Sequence, residues 1–265
     1  MRRFIPFLKT GPRVAVLRLQ GVIAAVGRGG ALNDAGLAPV IEKAFRKGKP
    51  DAVALVLNSP GGSPAQSSLI AARIRRLADE KDVPVYAFVE DVAASGGYWI
   101  AAAADEIWVD ANSIVGSIGV ISAGFGFTDF IARHGVERRV YTAGASKSML
   151  DPFQPEKPED VKRLKDLQEQ IHQGFIAHVK DRRGAKLAEG DLFTGEVWVG
   201  GKSCDVGLSD GVGHLVPKMK EVFGDKVRFM VYQQRRPIFA RFGSTLLAEA
   251  MAQVEERALY ARFGL

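Results

Sequence analysis

The order of the residues predicts an α/β fold: a mostly parallel sheet with helices on both faces. Three observations carry that prediction. Strand patterns alternate with helix patterns along the chain. The run Ala52 to Leu57 is apolar without a break, as a strand buried on both faces is. Glycine turns stand where two apolar strands hand over to helices, at Ser59-Pro60-Gly61-Gly62-Ser63 and at Ser95-Gly96-Gly97.

Taken in order, Arg13 to Ile23 alternates like a strand and closes on Gly21. Asn33 or Asp34 caps a helix to about Lys47, with Leu37, Val40, Ile41 and Ala44 on one face. Gln66 to Asp79 reads as a helix and Pro84 to Val89 as a buried strand. An alanine-rich helix follows Ser95. Glu106 to Val109 is a short strand, and Ile114 to Ile121 a glycine-punctuated strand or turn. Phe127 to His134 suits a short helix and Arg138 to Tyr141 a strand. Thr142 to Phe153 is a loop of small residues. Pro158 to Arg183 is a long amphipathic helix, started by proline and two acids. Between Phe193 and Gly211 turns alternate with short elements. Val227 to Val231 is the last strand, and Ile238 to Phe263 a terminal helix of mixed charge. No repeat or low-complexity linker interrupts this order. The domain plan is a basic segment over residues 1–12, one domain over 13–225, and a strand with a helical extension over 226–265. The long helix and the terminal helix suit contacts between subunits; solvated helices are the plain alternative.

The composition, 47% apolar and 25% charged in 265 residues, is that of an ordinary soluble globular chain. A single cysteine, Cys204, excludes an internal disulfide and argues against a thiolate metal cluster. The net charge of +6 is spread, and no basic run is interleaved with aromatics, so no nucleic-acid partner is expected. The apolar N-terminal run Phe4 to Leu8 is shorter than a secretory or membrane-spanning segment requires. The expected place is the cytoplasm. Arg2, Arg3, Lys9 and Arg13 around that run suit peripheral contact with an anionic membrane surface, with a frayed terminus as the alternative.

Ser95 stands where a strand, a tight turn and a helix meet, the arrangement of a nucleophile elbow. The helix N-terminus aims unpaired N–H groups and the positive end of its dipole there. A plain N-cap serine fits the same pattern. The turn at Gly61 and Gly62 follows a parallel strand, so its N–H groups can face the same rim. An N–H of Gly61 or Gly62 with that of Gly96 would make an oxyanion hole, each donor worth about 3–4 kcal/mol in acyl transfer. A tight structural turn is the alternative. The histidines, His134, His172, His178 and His214, show no acid partner in a triad pattern. Lys147 follows Gly144-Ala145-Ser146 and precedes Met149-Leu150. A lysine there can be desolvated and act as a general base, giving a Ser–Lys dyad. A solvated loop lysine is the other reading.

Ser59-Pro60-Gly61-Gly62, Ala93-Ala94-Ser95-Gly96-Gly97-Tyr98, Gly116-Ser117-Ile118-Gly119-Val120 and Ser146-Lys147 occur in that order. Together they resemble the signal peptide peptidase A family, of the ClpP/crotonase fold, over about residues 13 to 215. The Ser–Lys separation, 147 − 95 = 52, matches the single-domain form of that family. The resemblance implies Ser95 as nucleophile, Lys147 as general base and oxyanion N–H groups at Gly62 and Gly96. It implies a ring of subunits, in which the serine and lysine of one site can come from neighbours. Tyr98 and Trp99 would pack behind the serine, and Ser117 and Ser148 are candidates to orient the lysine amine. The expected activity is a serine endopeptidase acting on signal peptides or other unfolded or membrane-derived peptides, without cofactor or metal. Family members often carry an N-terminal membrane anchor, and none is visible in this sequence.

Four alternatives remain beside it. A ClpP-like Ser–His–Asp protease needs a histidine about 25 residues after the serine, as that family's pattern implies; position 120 is Val and the next histidine is His134. A crotonase-type acyl-CoA enzyme shares the oxyanion glycines but needs neither Ser95 nor Lys147. A non-catalytic ring scaffold would retain the fold alone. The membrane-operon protease that cuts stomatin-like proteins also uses a Ser–Lys pair.

Overall fold

A computed structural model of the chain describes residues 11–25, 31–144, 146–234 and 257–265. The chain divides into two units, Met1–Ile118 with Ala177–Leu265, and Gly119–Ile176. The first holds the sheet. Its strands are β1 (Arg13–Gln20), β2 (Ala52–Ser59), β3 (Val85–Ala94), β4 (Glu106–Val109), β5 (Ile114–Gly116), β6 (Val197–Val199), β7 (Gly211–Val212) and β8 (Arg228–Gln233). Neighbours run β6-β5-β3-β2-β1-β8, with β4 beside β3 and β7 beside β4. Every pair is parallel except β5–β6. Thus the α/β expectation of a mostly parallel sheet holds.

The helices of this unit cover two faces, as strand periodicity requires. Val14 and Val16 of β1, Ala52, Ala54 and Val56 of β2, and Phe88 of β3 share one face with Met219 of α7 (Leu215–Phe223). The intervening Leu17, Leu19, Leu55 and Leu57 point the other way and are equally buried. There α1 (Asp34–Arg46) lies against β1 and packs on α2 (Pro64–Lys81), burying Leu37, Ile41, Ile70 and Ile74. Each such fully buried side chain contributes about 1.5–3 kcal/mol. The α1 cap is Asn33, whose side chain accepts the Gly36 N–H at 2.8 Å.

β3 changes its neighbour halfway. Tyr86 to Val89 pair with β4, and Val92 to Ala94 pair with β5. The expected strand stopped at Val89 because Glu90 and Asp91 break the apolar run. Both acids are exposed at the change of partner, Glu90 paired with Arg18 and Asp91 accepting from the Asn58 amide. Ser113 donates across the change to the carbonyls of Val89 and Glu90. The strand therefore reaches Ala94, where it delivers Ser95.

The second unit holds α4 (Thr128–Arg133) and the first part of α5 (Pro158–Arg183), whose end lies in the first unit. α4 buries none of its residues. Phe125 and Tyr141 are 81% and 91% exposed. Arg138 to Tyr141 is not the expected strand. Its charges are held locally instead: Arg138 pairs with Asp151 at 3.2 Å and lies over the Phe153 ring, and Arg139 pairs with Glu137 at 2.6 Å.

One further element differs from expectation. α7 was not foreseen, although Leu215, Met219 and Phe223 recur at helical spacing; Pro217 in its first turn is where proline is tolerated. β8 lies beside β1, in register from Arg13 opposite Arg228, so the last strand completes the sheet's edge. Of the expected helix Ile238 to Phe263, residues 257–261 are helical and most of the remainder lies outside the described residues.

The end of α5 is tied to the sheet by a buried cation. Arg183, 1% exposed, donates to Asp210 at 2.6 Å and twice to the Gly207 carbonyl. Burial alone would raise the Asp210 carboxyl pKa, but hydrogen bonds from Arg183, Lys186 and the Ile107 N–H hold it below the ordinary value. Removing one partner of a buried pair strands the other, which costs about 3–5 kcal/mol. Arg183→Leu should lose stability of that order in urea denaturation; a loss under about 1 kcal/mol would show that the pair holds nothing. A lowered carboxyl contributes stability above its unfolded pKa of about 4, lost as pH falls through the folded value. Acid sensitivity should therefore shrink in the variant.

Candidate active site

Two turns build the site in the first unit. β2 ends at Ser59, and Pro60-Gly61-Gly62 leads to Ser63, which caps α2 by accepting the Gln66 N–H. β3 ends at Ala94, and Ser95 opens α3 (Gly96–Ala101). The turns touch. A Cβ on Gly61 would stand 2.8 Å from the Gly96 nitrogen and 2.9 Å from Ser95 Cβ. Gly61 and Gly62 have φ of 103° and 141°, and a side chain on Gly62 would run into the Ile23 carbonyl. Only glycine fits that close approach.

Ile23 fixes the direction of this turn. Its N–H donates to Gly61 O at 2.9 Å and its carbonyl accepts from Ser63 N–H at 2.8 Å. These bonds bracket Gly62, so the Gly62 N–H faces away from Ile23. The Gly62 nitrogen lies 3.3 Å from the place a Cβ of Gly96 would take. Gly96 is the first residue of α3, and the leading N–H groups of a helix have no partner inside it. The two N–H groups thus belong to adjoining turns beside Ser95.

Ser95 has φ 51° and ψ −121°, a left-handed conformation that costs a non-glycine residue about 1–3 kcal/mol. It is held there from both sides. Its N–H donates to Gly116 O at 2.8 Å, and its carbonyl accepts the Trp99 N–H at 3.0 Å. Its hydroxyl makes no capping bond. The next residue past β5, Ser117, also has a positive φ of 51°, and donates its N–H to Glu196 O at 2.6 Å. Behind the serine Tyr98 is fully buried and donates to Leu208 O at 2.7 Å; burial raises its phenol pKa.

Ser95, Gly62 and Gly96 therefore stand together in the first unit, and Lys147 belongs to the second. Lys147 is exposed in the single chain, and Ser146 before it accepts a hydrogen bond from Arg163. Two histidines have partners that the sequence did not reveal. His178 Nε2 lies 2.9 Å from Trp99 O, and His214 Nε2 lies 2.8 Å from Asp110 Oδ2. The His214 bond and those from Asn112 lower the Asp110 pKa to about 2. Partners 79 and 104 positions apart leave no local signal in the sequence. Among the described residues no cluster of three or more His, Cys, Asp or Glu could hold a metal, and no helix is long and apolar enough to cross a membrane.

The site is a glycine turn beside a strained strand-to-helix serine on a mostly parallel α/β sheet. Residues 78–222 match Peptidase family S49, and the chain belongs to that family. A Brucella melitensis protein named Na(+)/H(+) antiporter NhaA is 46% identical over 286 residues, covering 100% of this chain and 39% of that protein. A putative signal peptide peptidase SppA of Enterococcus faecium is 30% identical over 211 residues, covering 76% of this chain and 60% of that one. The chain thus spans about two fifths and three fifths of these relatives' lengths. A solved mutant of the 1510-N membrane-bound stomatin-specific protease aligns with 85% of this chain and 99% of that chain, at 14% identity and a TM-score of 0.46.

If the left-handed backbone at Ser95 is held in solution, glycine should fit it better than alanine. Ser95→Gly is expected to be about 1 kcal/mol more stable than Ser95→Ala in urea denaturation. Equal midpoints would mean that the strain is not there.

Proposed function

We propose that this chain is a serine endopeptidase of the S49 type with a Ser95–Lys147 dyad. The observation that carries the reading is Ser95, strained at the head of α3, beside the N–H groups of Gly62 and Gly96. Membership of Peptidase family S49 supports it. Ser95 Oγ attacks a peptide carbonyl carbon while Lys147 Nζ takes the hydroxyl proton. The carbonyl oxygen becomes an oxyanion, held by the Gly62 and Gly96 N–H groups. The C–N bond breaks, the lysine returns the proton to the leaving amine, and an ester with Ser95 remains. Water, deprotonated by the same lysine, hydrolyses it.

The substrates on this reading are signal peptides or other unfolded or membrane-derived peptides, as the name of the Enterococcus relative suggests. The working assembly is a ring of identical subunits. Its support is the second unit, whose Phe125, Phe130 and Tyr141 are exposed in the single chain. In the same unit Phe125 lies 6.2 Å from Phe127 and Phe127 5.6 Å from Phe153, ring to ring, and an exposed aromatic cluster suits an interface. The working place on this reading is the cytoplasm with peripheral membrane contact, and the antiporter name of the longer Brucella relative favours that contact.

The test is hydrolysis of a fluorogenic peptide and of an unfolded protein by wild type, Ser95→Ala and Lys147→Ala, with assembly size measured for each. Both variants should fall by at least about a thousandfold at unchanged size. A lysine base works only unprotonated, so the wild-type rate should rise from pH 6 to 9. Activity retained in Ser95→Ala would remove this serine from the reaction, and a flat profile would remove the lysine. Inactivity of all three as intact assemblies would favour a scaffold.

A further inference from the structure

The short helix α3 needs help at its far end. Six residues are too few to hold a helix by propagation alone, and the last carbonyls have no donors inside it. Its end tightens into i→i−3 bonds, with Ala103 N–H donating to Ile100 O at 3.1 Å and Ala104 N–H to Ala101 O at 3.0 Å. Carbonyls around that end then accept from one stripe of α5. His178 Nε2 reaches Trp99 O at 2.9 Å. Arg182 reaches Ala102 O at 3.3 Å, Ala104 O at 3.2 Å and the Asp105 carboxylate at 2.9 Å. His178 and Arg182 are four residues apart, hence on the same face of α5.

The bond from His178 has a defined chemistry. A carbonyl only accepts, so Nε2 carries the hydrogen. The imidazole is stacked on the Trp99 ring, with centroids 5.6 Å apart and planes 20° apart. Burial lowers its pKa, which favours the neutral ring.

Trp99 is also the residue that grips the serine. Its N–H donates to the Ser95 carbonyl at 3.0 Å, while its own carbonyl accepts from His178. One residue therefore carries a hydrogen bond in each direction, forward to Ser95 and back to α5. A displacement of Trp99 is passed to Ser95 through a single turn of backbone.

We propose that His178 is a positioning residue for the hydrolysis, fixing Ser95 Oγ and the Gly96 N–H through the Trp99 carbonyl. The proposal rests on the reading of Ser95 as nucleophile. Arg182 and Arg183 hold α5 by separate bonds, so loss of His178 should misplace α3 without releasing the helix behind it.

The experiment compares wild type, His178→Leu and His178→Gln, with Ser95→Ala as the blank. It measures kcat and KM on a fluorogenic peptide, the rate of Ser95 labelling by a fluorophosphonate, and the thermal midpoint. Small misplacements of reacting groups cost rate rather than affinity. His178→Leu should lower kcat and labelling about tenfold or more, with KM within about twofold. Gln, whose side-chain amide can donate as Nε2 does, should restore most of both. His178→Asn, too short to reach Trp99 O, replaces the leucine variant should that one fail to fold. Wild-type rates in the donor-free variant, or equal losses in Leu and Gln, would overturn the positioning role. Failure of the wild type to label at Ser95, with Ser95→Ala still hydrolysing peptide, would instead overturn the reading of Ser95 and the positioning role with it.

Discussion

The hydrogen bond from Ser95 N–H to the Gly116 carbonyl, at 2.8 Å, is the constraint on which the site depends. It pulls the chain out of β3 into a left-handed residue and sets Gly96 at the head of α3. That bond exists only because β3 leaves β4 after Val89 and takes β5 as its neighbour from Val92. The change of partner would strand two carbonyls, and the Ser113 hydroxyl serves both. Gly116 then has φ 105°, and a side chain there would stand 2.7 Å from the Trp198 ring of β6. The antiparallel β6 thus limits what can follow β5. Each step is local, and together they convert a break in a sheet into a reactive turn.

The sequence disclosed most of the sheet because its strands are nearly pure in type. An unbroken apolar run such as Ala52 to Leu57 can hardly be anything but a doubly covered strand. It disclosed less where long-range partners decide. Glu90 and Asp91 look like the end of a strand, yet Arg18 and Asn58, far away in sequence, donate hydrogen bonds to them within it. Arg138 to Tyr141 ends on two residues that favour strands, Val140 and Tyr141, but none of the described residues offers it a ladder to join. The local neighbourhood of Ser95 was legible because turn chemistry is local: glycine pairs mark where backbones approach. The bonds of His178 to Trp99 and of Arg183 to Asp210 were not, because each joins elements that only the folded sheet brings together.

The antiporter name of the Brucella relative and the S49 match refer to different lengths of chain. The match to that relative takes in all of this chain but only 39% of that protein. The family match lies inside this chain, from 78 to 222, and includes the turn at Ser95 and the loop of Lys147.

On the proposed reading, exposure of the lysine and exposure of the aromatic side chains are one problem. A general base must be without its proton when it acts. Lys147 is exposed in the single chain, in the unit that also leaves Phe125, Phe130 and Tyr141 in water. A second copy packed on that unit would bury apolar surface and, where it covers Lys147, dry the amine. Assembly would then be the step that prepares the base, while the serine turn is prepared by folding alone.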